Sequence, residues 1–297
     1  MKNLNQLCAF TCLLAILLAG RLVFAFPAQN NETGPKKLQN PISVNYLKNN
    51  LSDEHPRLVL SRETEKKLRE KLQTDPVIQN VYQAIKLNAE AVFGKEIINL
   101  DIPMEERTQD NQLDISRDML HRINMLAMVY RMEKDQRILD RINKEVVAAC
   151  NFPTWNPRHF LDVGEMSLAI ALALDWTAGD LPQSTIDLAK KSLIEKGIKP
   201  SWPESGKNPG WAYNNNNWNQ VCHGGMVAAS IMVADEEPEL AAKTIHRAID
   251  GMVNALAAYA PDGVYPEGAT YWNYGTSFTV VTAAMFESAF GTDFGIA

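Results

Sequence analysis

The chain has 297 residues, is 46% hydrophobic and carries a formal net charge of −6. It can bury a sizeable core, and its acidity argues against nucleic acid as a partner. An acidic polymer is an acceptable ligand only where positive groups are gathered locally. In chain order, residues 1–25 read as an export signal. Lys2 supplies the positive start, Leu7 to Gly20 the apolar run, and Val23-Phe-Ala25 the small-residue cleavage pattern. Arg21 cuts the run short of the roughly 20 residues a membrane span needs. The expectation is an exported protein, periplasmic or secreted, with no stable membrane insertion. Residues 26–54 are polar and rich in Asn and Pro, and read as a linker or strap. Asn31-Glu-Thr33 and Asn50-Leu-Ser52 fit the glycosylation sequon.

From residue 55 onward one domain is expected, running to 297. Ser61 reads as a helix N-cap, with Glu63 and Glu65 in the first turn. Asp75-Pro76 repeats that start signal, and apolar spacing continues through Val77, Val81, Ile85 and Ala89. Helical periodicity recurs over Ile115–Met132, Gln136–Cys150, Gly164–Trp176, Ser184–Lys196, Gly224–Ala234, Pro238–Tyr259 and Thr276–Phe290. Gly164–Trp176 is apolar nearly all round, which predicts a buried helix. No segment alternates with period two. Buried helices alternate with amphipathic ones, so the predicted fold is all-α, an incomplete (α/α) toroid with inner and outer layers. An α-solenoid is the structural alternative, although no consensus repeat is visible. Cys150 and Cys222 remain after export as two buried thiols or one bridge.

The chemistry-bearing residues crowd the segments before the buried helices. Trp211 to Gly225 holds Asn214 to Asn217, Trp218, Asn219 and His223. An Asn amide can bind a carboxylate and stabilise an enolate, and a helix start adds its dipole; an Asn run is equally a polar loop. Asn216 and Trp218 are candidate substrate contacts. His223 is a candidate charge-neutraliser or base, or a structural histidine. Pro261 to Ser277 holds Glu267, Tyr271, Trp272 and Tyr274. These make either a general acid/base beside an aromatic sugar platform or an aromatic helix start. A tyrosine ordinarily titrates near 10, so a catalytic one needs donors that favour the phenolate. Arg158 and His159 complete the substrate-contact set, Arg158 gripping a carboxylate or pairing with Asp162 or Glu165. Cysteine and histidine spacing suggests no metal site, and no cofactor motif is present.

Several of these pieces are similar to the heparinase II/III-like polysaccharide lyases and their alginate-lyase-like helical domain. They are His55-Pro-Arg-Leu, His159-Phe-Leu-Asp-Val-Gly-Glu-Met-Ser167, Ala173-Leu-Asp-Trp176, Asn216-Asn-Trp-Asn219 and Asp262-Gly-Val-Tyr-Pro-Glu-Gly-Ala-Thr-Tyr271. The resemblance implies an incomplete (α/α) toroid acting on acidic, uronate-containing polysaccharide by β-elimination. It implies Asn217 as the carboxylate neutraliser and Tyr271 as the proton carrier, with Tyr274 as competitor and no settled role for His223. It also implies β-sandwich domains and a further catalytic His beyond residue 297. The chain therefore reads as a fragment or a truncated relative with reduced or no activity. The alternatives are a non-catalytic carbohydrate-binding toroid and a glycoside hydrolase using acids such as Asp162 and Glu267.

Overall fold

The computed structural model describes residues 37–101 and 109–297. The expected export signal and the Asn31 sequon lie outside the described residues. Within them the chain is all-helical, with no strand. The helices are α1 (Val44–Asn50), α2 (Arg62–Thr74), α3 (Pro76–Val92), α4 (Gln109–Glu133) and α5 (Gln136–Cys150). After them come α6 (Phe160–Thr177), α7 (Gln183–Ser192), α8 (Asn217–Met232), α9 (Pro238–Ala257) and α10 (Ala269–Phe290). A π-helical turn, Leu193–Ile198, continues α7, and a 3-10 turn, Gly210–Tyr213, precedes α8.

The start signals work as the sequence predicts. Ser61 accepts from Thr64 N at 3.1 Å, and Asp75 accepts from Val77 N at 2.9 Å with Pro76 in the first turn. Several helices start earlier than the reading, and the largest differences are two. α8 begins at Asn217 and α10 at Ala269, each seven residues earlier than its apolar run. The polar and aromatic residues before those runs are themselves helical without apolar periodicity; at the α8 start the neighbouring helices bury them, whereas the first turn of α10 is exposed. The strap differs too, since part of it folds as α1. Tyr46 on α1 packs against Phe290 and Phe294, ring centroids 6.1 Å apart in both pairs.

Two layers organise the rest. α4, α6, α8 and α10 pack in succession as an inner row. α3 and α5 pack on α4, α7 packs on α5, and α9 packs on α8. Burial explains the division. Every residue of α6 is buried, and so is every residue of α8 except Trp218, as helices flanked on all sides require. α5 and α9 bury one face and expose the other. Ile123, Leu126, Met166, Leu168, Ile231 and Phe286 are among the fully enclosed side chains, each contributing about 1.5–3 kcal/mol on burial.

The inner helices run parallel. Arg117 meets Glu165 near the starts of α4 and α6, and Tyr130 donates to Asp180 at 2.7 Å past their ends. Asn217 meets Glu267 at the start of α8 and just before α10, and Gln220 donates to Thr279 at 2.8 Å further along. α6 and α8 touch backbone to backbone: a Cβ on Gly225 would lie 2.1 Å from Gly164 O. Only glycine allows that approach. The helix N-termini of the inner row therefore share one end of the molecule.

The opposite end is held by residues 55–58, which continue the strap past its expected end at 54. Asp175, fully buried near the end of α6, accepts from His55 Nδ1 (2.7 Å), Arg57 N (2.9 Å) and Leu58 N (2.7 Å). Trp176 Nε1 donates to Leu58 O at 2.9 Å, and Arg57 donates to Ile231 O at the end of α8. Ser288 on α10 donates to Arg57 O at 2.8 Å. The His55-Pro-Arg-Leu and Leu174-Asp-Trp176 segments, far apart in sequence, are thus one contact.

Candidate functional site

The end where the inner helices begin gathers most of the predicted site residues. On α6, His159 Nδ1 and Asp162 Oδ2 share a hydrogen bond of 2.8 Å, and Asn156 Nδ2 donates to the same oxygen at 3.0 Å. Burial pushes the Asp162 carboxyl up to about 7. The His159 ring meets Trp218 edge-on, centroids 4.8 Å apart. One turn along α6, Glu165 is fully buried and receives the Tyr274 phenol from α10. Arg117 on α4 reaches Glu165 through Nε at 3.3 Å and lies 5.1 Å over the Tyr274 ring. Burial pushes the Glu165 carboxyl up to about 7 despite that guanidinium. Burial and the neighbouring Glu165 carry Tyr274 well above its ordinary value.

The Asn-rich and Tyr-rich segments meet directly. Asn217 donates from Nδ2 to Glu267 Oε2 at 2.8 Å and from its backbone N at 3.4 Å. Asn216, at the N-cap, makes no side-chain capping bond, so a carboxylate from the next inner segment serves the α8 start instead. Asn217 is 2% exposed. Tyr271 is 47% exposed and Trp272 is 40% exposed, in the first turn of α10. Trp272 Nε1 donates to Gly263 O at 2.9 Å and holds the 261–268 segment against the helix. Tyr265 anchors that segment by stacking on Tyr259, centroids 4.8 Å apart. Gly263 and Gly268 bracket it at φ +82° and +84°, where only glycine sits without strain.

Three predicted residues have surroundings unlike those the sequence suggested. His223 is fully buried on α8, and its Nε2 donates to Ala212 O at 2.9 Å beneath Trp211. Burial lowers it to about 3, so the ring is neutral and pins the 3-10 turn. That geometry replaces the charge-neutralising reading, because enclosure removes the cation. Tyr274 is an internal partner of Glu165 and not an exposed hydroxyl. Arg158 is exposed and makes neither of the ion pairs weighed for it. Asp162 pairs with His159 and Glu165 with Arg117 instead. Cys150 and Cys222 are free and buried.

A second feature was not anticipated. A cavity of about 560 Å³ lies between α4 and the 95–99 segment and reaches Glu165. Arg117, His121 and Asn124 line it from α4 at helical spacing. Polar residues at positions i, i+4 and i+7 of a helix otherwise rich in Ile, Leu and Met were the available signal. Behind the cavity, Glu145 is fully buried and accepts from Arg122 at 2.9 Å, Arg141 at 2.8 Å and Ile98 N at 2.9 Å. That network fixes the 95–99 segment in place. Among the described residues no group of three His, Cys, Asp or Glu is arranged to hold a metal ion, and no helix is long and apolar enough to cross a membrane.

No protein-family model matches the chain, and no curated protein matches it either.

Proposed function

We propose that the chain is a polysaccharide lyase, or part of one, that cleaves uronate-containing polysaccharide by β-elimination. The two helix layers are read as an arc of an incomplete (α/α) toroid, and the end where its inner helices begin as the substrate face. The observation that carries this reading is the Asn217–Glu267 contact, 2.8 Å long. It joins the two segments that hold the amide, the exposed tyrosine and the exposed tryptophan. Parallel inner helices also point their N-terminal dipoles at that face, which favours an anionic ligand on an otherwise acidic protein.

In this reading Asn217 and the α8 start take the uronate carboxylate, and Glu267 yields the amide when substrate arrives. The Tyr271 oxygen removes the proton from the carbon beside that carboxylate. The C–H bond breaks, a carbon–carbon double bond forms, and the glycosidic C–O bond breaks. The same phenol returns a proton to the leaving oxygen. Trp272 offers a sugar ring a flat apolar face. The test is ultraviolet absorbance of the unsaturated product during incubation with uronate polymers. Reducing ends formed without that absorbance would mean hydrolysis.

Non-catalytic carbohydrate binding is the second reading. It is favoured by the burial of Asn217 and by its existing carboxylate partner, and it expects saturable polymer binding with no product of either kind.

A further inference from the structure

We propose that the cavity between α4 and the 95–99 segment binds a single carboxylate-bearing sugar residue, with Arg117 as carboxylate anchor and His121 and Asn124 as hydroxyl partners. This is a second binding place, apart from the Asn217–Glu267 contact, and it does not require that the chain break any bond.

Size comes first. About 560 Å³ falls within the roughly 300–1,000 Å³ of small-ligand pockets. It holds one sugar ring with room for water. The polar wall comes next. Asn124 is 4% exposed, lines the cavity, and its Oδ1 has no hydrogen-bond partner. A buried amide oxygen in that condition costs free energy until a donor reaches it, and a sugar hydroxyl is such a donor. His121 sits one turn back. Burial and the Lys95 ammonium hold it below its ordinary value, so a neutral ring can both give and take a hydrogen bond.

Among the described residues, the one feature of the cavity that favours an acidic ligand over a neutral one is Arg117, since Lys95 and Arg122 are committed to acids. Lys95, Arg117 and Arg122 line the inner wall against Asp118 and Glu165. Lys95 and Arg122 share Asp118, at 2.6 and 2.7 Å, and Arg122 also holds Glu145. Arg117 faces Glu165, whose burial favours the neutral acid. A carboxylate entering beside Arg117 would share the guanidinium with Glu165, which is reached through Nε at 3.3 Å. Glu96 and Asp114 also line the cavity but are exposed to water, where screening weakens their repulsion. Ile97, Ile98, Ile115 and Met125 supply the apolar wall for a ring face.

The experiment is calorimetric titration of the whole chain with D-glucuronate, D-glucose and acetate. Saturable glucuronate binding, tighter than either comparison ligand, is expected. Arg117→Gln should weaken it roughly tenfold or more, the loss of a charge-assisted pair, with the thermal midpoint checked in parallel. Ile97→Trp fills the cavity from the loop side and should abolish binding, with its thermal midpoint checked against the wild type. No saturable binding to the wild-type chain overturns the proposal, and so does equal affinity for glucose. Loss of binding in Asn217→Ala, with Arg117→Gln and Ile97→Trp unaffected, would move the ligand to the other contact. That result sinks this inference and leaves the elimination reading standing.

Discussion

Asn217 and Glu267 hold one another across the starts of two neighbouring helices, amide to carboxylate at 2.8 Å. The amide assigned to a substrate carboxylate already grips one from its own chain. Glu267→Gln keeps the shape and removes the charge, so competition with a uronate ends. The expected outcome is a several-fold lower KM on uronate oligomers with kcat little changed. Asn217→Ala removes the donor itself and should lower kcat by about 10²–10³-fold, the scale for losing one oxyanion donor. Equal effects of both changes on KM alone would mean that the pair is a surface cap.

Tyr271 and Tyr274 lie one turn apart and differ in surroundings, one half-exposed and the other enclosed with Glu165 and Arg117. Tyr271→Phe should cut turnover by roughly 10²-fold or more while leaving binding and fold intact. Tyr274→Phe should chiefly lower the thermal midpoint, because it leaves a buried carboxyl short of a donor. Steady-state kinetics and melting curves on both variants separate the roles. The reverse pattern would give the chemistry to Tyr274.

Glu165 gives a pH prediction. Its ordinary value of 4.5 rises to about 7 in the folded chain, so between those values the folded state holds a proton that the unfolded state has lost. Stability from this group is complete below about 4.5 and is lost as pH rises through about 7. Asp162 acts in the same sense from 3.8 to about 7. Glu165→Gln cannot ionise. Its thermal midpoint should match the wild type near pH 4.5 and exceed it increasingly towards pH 7.5. Parallel curves across that range would mean that Glu165 is ionised throughout.

Much of the architecture was legible because it rests on local signals. The Ser61 and Asp75 caps and the all-apolar Gly164–Trp176 run each reflect the near environment of a few residues. The starts of α8 and α10 were not legible, since neither carries apolar periodicity: Asn217 is buried by other helices, and Tyr271 is half-exposed. The same limit hid the site's internal pairings. His223 reads as chemistry in sequence because nothing there reveals Ala212 O and Trp211 enclosing it. Arg117 is marked only by its helical spacing from His121 and Asn124, and its partners Glu165 and Tyr274 lie on two other helices.

Asp175 is the acceptor on which the strap depends. Asp175→Ala would leave Arg57 N and Leu58 N buried without partners, at about 1–3 kcal/mol each. Roughly 2–6 kcal/mol of lost stability is expected by denaturant titration, with faster proteolysis between residues 51 and 60. Asp175→Asn keeps an acceptor oxygen and should lose less. Unchanged cleavage in Asp175→Ala would show that the strap is held by Arg57 and Trp176 alone.

The strap sets an order of assembly. Arg57 closes on Asp175, on Ile231 and on Ser288, at the far ends of helices made later in the chain. A ribosome therefore releases this segment long before any surface that receives it exists. Its partners are separated from it by 231 residues in the case of Ser288, a loop whose closure is slow. Asp175 and Ile231 can receive Arg57 once α8 is made, and Ser288 completes the closure only when α10 follows.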